Sequence, residues 1–169
     1  TSLVEYDDCV NLLKGAVECS NWVSTVSPTY AQEIMDPWFS YKLDGILKER
    51  SWKLSGILNG IDTKNYDPET DSDIYAPYSA ARPEGKAVNK QKLQERLGLE
   101  QNPDIPLIGM VTRMVSAKGL DLVIEGLDQI MCSNNVQFVI LGSGDFEYES
   151  FFRNMQDKYP GRLVACQGF

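Results

Sequence analysis

Between residues 107 and 166, apolar runs of strand length alternate with helical patterns. This alternation limits the fold more than any other feature of the chain. The run from 107 to 112 reads as a buried strand, and a helix is predicted at about 118–131, with Leu120, Val123, Leu127 and Ile130 on one face. VQFVIL (136–141) reads as a second strand, and a helix at about 146–158 gathers Tyr148, Phe151, Phe152 and Met155. RLVAC supplies a third strand. A βαβαβ order implies parallel strands with right-handed crossovers. The fold class is therefore α/β, a parallel Rossmann-like sheet with flanking helices. Three strands leave two bare edges, a poor independent unit. The expectation is a piece of a larger protein, with edges also open to closure by a second copy of the chain as a homo-oligomer.

The first third is patterned differently. Residues 8–20 carry Cys9, Leu12, Leu13, Ala16 and Val17 at helical spacing, and WVSTVS reads as a short strand. Pro28 is placed at the first position of a helix capped by Ser27, and Asp36-Pro37 stops it. A helical turn is expected near Ile46 to Glu49, and LSGIL reads as a strand running into Asn59-Gly60. A long irregular segment follows, from Asp62 to about Gly85, too long for an ordinary connection inside a compact unit. A boundary is therefore expected near 58–64, dividing the chain into 1–60 and 61–169. Beyond the irregular segment, AVNKQKLQERL is predicted as a helix with Gly98 as its stop. Its Lys86, Lys90, Lys92 and Arg96 read as a solvated face.

The net charge of −8 argues against general nucleic-acid or membrane-surface binding. No apolar run approaches a membrane span, and no signal peptide is visible at the start. Cys9, Cys19, Cys132 and Cys166 lack paired spacing. Buried free thiols are expected, Cys9 on a helical apolar stripe, and with them a cytoplasmic location. Histidine is absent. Cys/His zinc sites and histidine acid–base chemistry therefore cannot be built from this chain alone.

Arg113 and Lys118 are the candidate pair for chemistry. They occupy the turn between the first strand of the βαβαβ unit and its helix, where a cation opposes the helix dipole by roughly 0.3–1 kcal/mol. An anion in the gap between strand end and helix start removes that conflict, since helix N-termini and strand carboxyl ends attract phosphate. Two fixed cations suggest a diphosphate, although a surface Arg and Lys on a loop would share the spacing. LGSGD follows the second strand: Gly142 and Gly144 permit close backbone approach, and Asp145 is placed to cap the next helix. The loop lacks the third glycine of a dinucleotide fingerprint, so a tight turn competes with a ligand loop. Asn59-Gly60 is either a plain turn or an amide presented into a cleft. DPETDSD resembles a calcium loop, but Ser72 and Tyr78 stand where Gly and Glu are needed. A solvated acidic turn fits better.

Six segments, taken together, resemble the bacterial glycogen synthase and plant starch synthase family: TVSPTYAQEI (25–34), LSGILNGID (54–62), the Pro-Glu-Thr-Asp turn (68–71), VNKQKLQERLGL (88–99), IGMVTRMVSAKGLDL (108–122) and QFVILGSGD (137–145). The bacterial side is the more similar. The resemblance implies a GT-B glycosyltransferase of two Rossmann-like domains. Residues 1–60 would end the N-terminal, acceptor-side domain with its hinge, and 61–169 would begin the nucleotide-sugar domain. The implied reaction moves glucose from ADP-glucose to the non-reducing end of an α-1,4-glucan such as glycogen, with retention and without a metal or other cofactor. Arg113 and Lys118 match the pair that binds the distal phosphate. Asn59, with Gly60, matches the sugar-site hinge, and Gly142, Gly144 and Asp145 match the loop beside the nucleotide. Val26-Ser27-Pro28 matches the cleft edge. Met114 stands where the family more often has Leu. The family's Lys-x-Gly-Gly loop, cleft His and Glu-bearing glycine-rich loop have no counterpart, which implies that this chain alone is inactive. A UDP-glucose-dependent transferase and a non-catalytic nucleotide- or glucan-binding module are the competing readings.

Overall fold

The computed structural model describes residues 2–168, which divide into two compact units on either side of the bond between Asp62 and Thr63. In the first, β1 (Glu5–Tyr6) and β2 (Cys9–Val10) form a small antiparallel hairpin. Its turn residues Asp7 and Asp8 both take positive φ, as a two-residue hairpin demands. The helix expected over 8–20 is therefore shorter: α1 spans Leu12–Cys19, started by Asn11, whose side chain accepts from the Lys14 amide. Cys9 lies on β2 and is exposed, not on a buried helical stripe; Cys19 and Cys132 are exposed as well. The expectation of buried thiols is corrected, because the Asp-Asp turn claims the segment that helical spacing assigned to α1. All four cysteines are free, Cys166 half-buried.

β3 (Val23–Val26) pairs in parallel with β4 (Leu54–Ile57). Between them lie α2 (Pro28–Glu33), with Pro28 in its first turn and Ser27 Oγ accepting from the Tyr30 amide, and α3 (Asp44–Glu49). Val17, Leu43, Ile46 and Leu47 form the core of this unit. The buried Lys53 ammonium donates to the carbonyls of Glu18 and Ser20, so its charge is hydrogen-bonded where water is excluded.

In the second unit, residues 62–84 hold no helix or strand. Asn89 ties this segment to α4 (Gly85–Leu97): its side chain accepts from the amides of Tyr75 and Ala76 and donates to Ala76 O and Gly85 O. In the acidic turn, Asp67 accepts from the Glu69 amide and Asp71 from the Asp73 amide, so these carboxylates cap their own backbone.

The sheet that follows has the order β5 (Leu107–Val111), β6 (Gln137–Gly142), β7 (Leu163–Gln167), all parallel. α5 (Leu120–Ser133) and α6 (Phe146–Lys158) connect them. The core combines Met114, Leu120, Leu127, Met131, Phe138, Ile140, Phe152, Met155 and Leu163. Ile130, expected on the buried face of α5, is 43% exposed, and Met131 takes its place. Spacings of three and four residues both return near one helix face, and the sheet selects the second here. Among the described residues, no helix is long and apolar enough to cross a membrane.

Candidate functional site

At the carboxyl end of the parallel sheet, the chain after β5 does not leave the sheet at once. The Thr112 amide donates to Leu141 O (3.1 Å), the Met114 amide to Ser143 O (2.8 Å), and the Asp145 amide back to Met114 O (2.7 Å). Met114 and Gly144 are thereby paired in parallel beyond the ends of their strands. The Met114 side chain, 1% exposed, enters the core. Arg113, its neighbour, is exposed. Arg113 O accepts from the Val115 amide (3.0 Å), which fixes the backbone on its other side.

The chain then makes a 3₁₀ turn, Ser116–Lys118, and enters α5 through Gly119 at φ 67°. Lys118 therefore stands in the turn before the helix, one residue from its cap, and is exposed. Among the described residues, neither the Arg113 nor the Lys118 side chain takes part in an ion pair. Two cations are thus displayed without an internal counter-charge at the sheet edge where open α/β folds bind ligands.

The glycines at the end of β6 and in the facing loop lie close against the chain that follows β5. A Cβ on Gly142 would lie 1.9 Å from Thr112 O, and one on Gly144 would lie 2.2 Å from Met114 O. The close approach they permit is that of the Arg113 strand extension to the β6–α6 loop. Asp145 occupies the cap position of α6, as its sequence position suggests, but its side chain makes no capping hydrogen bond. Glu149, not singled out by sequence, accepts from the Gly144 amide at 2.9 Å and from Gln167 Nε2, at the end of β7, at 3.3 Å. A Glu one turn into a helix that reaches back past the cap is a variant of the capping box, and LGSGDFEYE contains that spacing.

Burial, then the carboxylates of Glu147, Asp121 and Asp145, hold the Tyr148 phenol above its ordinary value. Acidic groups from the first turns of both α5 (Asp121) and α6 (Glu147), with the cap residue Asp145, therefore act on Tyr148. The anion-binding capacity of this end of the sheet lies with Arg113 and Lys118. No group of acidic and thiol side chains that could hold a metal ion occurs among the described residues. Asn59 and Gly60 follow β4 in the first unit, and both are exposed.

The parallel sheet, its flanking helices and the loops at its carboxyl end define a partial GT-B-like Rossmann fold. The structure is similar to the "Catalytic domain of Starch Synthase IV from Arabidopsis thaliana bound to ADP and acarbose", with a TM-score of 0.87 and 35% identity; the match covers 97% of this chain and 34% of that one. The family model described as starch synthase catalytic domain matches residues 1–49. A glycogen synthase of Pseudothermotoga lettingae is 48% identical over 166 residues, which is 98% of this chain and 34% of the relative. One of Geobacillus stearothermophilus is 45% identical over 166 residues, again 98% and 34%. The chain belongs to the glycogen and starch synthase family, and it spans about a third of the length of the curated relatives it matches.

Proposed function

We propose that this chain is the central part of a retaining glucosyltransferase that moves glucose from ADP-glucose to the non-reducing end of an α-1,4-glucan. Residues 1–60 would close the acceptor-side domain, and 61–169 would open the nucleotide-sugar domain. The observation that carries this reading is the braced Arg113 strand extension, followed by Lys118, both exposed at the carboxyl end of a parallel sheet.

Glucosyl transfer breaks the bond between the anomeric carbon and a diphosphate oxygen, and negative charge collects on the departing ADP. Cations already fixed in place lower that barrier without reorganising during the reaction. The Arg113 guanidinium can hold two phosphate oxygens through its fork, and the Lys118 ammonium adds a compact charge. Asn59, with Gly60, is assigned to the sugar side at the hinge. Gly142, Gly144 and Asp145 are assigned to the loop beside the nucleotide, where the glycines let that loop close on Arg113. The free thiols fit a reducing compartment, and we place the protein in the cytoplasm. The 169-residue chain by itself is expected to be inactive, because other parts of the family's site lie outside it.

In the intact enzyme, Arg113→Ala should lower turnover by roughly 10²–10³, the usual cost of one preorganised donor, without changing the melting temperature. An Arg113→Ala enzyme with undiminished rates would overturn the assignment. Competition between ADP-glucose and UDP-glucose on the same enzyme decides the donor, with preference for ADP-glucose expected.

A further inference from the structure

Besides reaching back over the start of α6, the Glu149 carboxylate joins the Gly144 loop to the end of β7. One oxygen accepts from the Gly144 amide (2.9 Å), and the other accepts from Gln167 Nε2 at the end of β7 (3.3 Å). The residues on either side of Gly144 grip Met114: Ser143 O takes its amide, and the Asp145 amide takes its carbonyl. Arg113 is the next residue along. A continuous line of hydrogen bonds therefore runs from the end of β7, through Glu149 and the Gly144 loop, to the backbone that carries Arg113.

The contact to Gln167 spans 18 positions and joins α6 to the end of β7, which a local helix cap does not do. Asp145, the residue in position to cap α6 locally, makes no such bond. The Gly144 loop also sits against the Arg113 strand at a separation that admits no Cβ. A shift of that loop therefore either breaks its two hydrogen bonds to Met114 or carries the Met114 backbone with it.

We propose that Glu149 is a positioning residue for phosphate binding: by anchoring Gly144 to the end of β7, it holds the Arg113 backbone in register for the leaving diphosphate. This inference rests on the reading of Arg113 given under Proposed function. It acts through Arg113 and does not place Glu149 against the substrate. The acceptor capacity of the side chain matters, and its charge does not. A Gln at this position can still accept from the Gly144 amide, and Gln167 can turn its own amide to meet the new side chain.

The test is a set of variants of the intact enzyme, each assayed for kcat, for KM toward the nucleotide sugar and toward glucan, and for melting temperature. Glu149→Ala should lower kcat by roughly 10–100-fold, as a misplacement of about 1 Å can do, with KM for glucan unchanged. Glu149→Gln should restore most of the rate. In an Arg113→Ala background, Glu149→Ala should cost less than threefold, because residues acting through one group are not additive. Equal loss in both backgrounds, or no loss in either, would overturn the proposal. Failure of Gln to rescue would overturn the part that dismisses the charge. If Arg113→Ala itself has no effect, the reading of Arg113 fails first. If Arg113→Ala is severe and Glu149→Ala is silent, only the role of Glu149 fails.

Discussion

Met114 N and O are both engaged by the loop after β6, and those two bonds determine where Arg113 can stand. An Arg on a free loop would lose entropy each time it gathered around a phosphate, whereas one on a braced strand extension has its backbone already ordered. The same geometry explains both glycines. Gly144→Ala would force a methyl group to 2.2 Å from Met114 O, so the two backbones must separate. A destabilisation of about 1–3 kcal/mol follows from such overpacking, measurable by urea unfolding. Turnover should fall as well. An Ala variant with unchanged stability would show that the loops do not need this separation. The sequence revealed the residue types here but not their partners. Two glycines after a strand signalled close approach, but a pattern does not say whether the approaching group is a ligand or another stretch of chain. Glu149 was hidden for a related reason: in the string it is one acid among Asp145, Glu147 and Glu149, and only the fold brings Gln167 to it.

At the scale of elements, α5 and α6 are clasped at the end remote from Arg113. Asp128 on α5 receives Lys158 Nζ (2.5 Å) and Tyr159 OH (2.7 Å) from the end of α6. The Lys158 bond first, and the Tyr159 hydroxyl next, hold the Asp128 carboxyl below its ordinary value of 3.8. The bond to Asp128 likewise raises Lys158 above 10.5. A depressed carboxyl contributes stability that is present above its unfolded pKa and is lost as pH falls through the folded value. A raised ammonium contributes stability below its unfolded pKa, lost as pH rises through the folded one. The clasp is therefore complete at neutral pH and weakens in acid below about pH 4. Asp128→Asn should flatten the acid limb of the stability–pH curve, read by thermal melts between pH 2.5 and pH 7. An unchanged slope would mean that the clasp contributes nothing. The boundaries of α6 were legible because its apolar residues recur at helical spacing and Asp145 precedes them. α1 was less so, since a two-residue Asp-Asp turn can interrupt an apolar stripe without any Gly or Pro. α4 concealed its buried side in another way. Its inward residue is Gln94, 1% exposed, whose amide donates to Gln137 Oε1 (2.8 Å) and to Asn102 O (3.0 Å). A buried, satisfied amide pair leaves no trace in an apolar pattern.

Across the whole molecule, the described residues form a three-stranded parallel sheet, a two-stranded parallel sheet and a small antiparallel hairpin, with a separate core in each unit. The Rossmann-like order was readable from the alternation of patterns between 107 and 166, because parallel strands need helical crossovers and these leave a long, regular imprint. The irregular stretch at 62–84 was readable for the opposite reason, its density of Pro, Asp, Ser and Tyr. Chemistry was legible only as a pair of cations in a turn. The bracing of Arg113 by the Gly144 loop is a property of the assembled sheet. In the proposed reaction, Arg113 and Lys118 hold the diphosphate of the departing nucleotide. A crystal structure of the intact enzyme with ADP tests it most directly. The Arg113 guanidinium and Lys118 Nζ should lie within about 3.2 Å of the diphosphate oxygens. A diphosphate seated elsewhere, with both side chains directed into solvent, would contradict it.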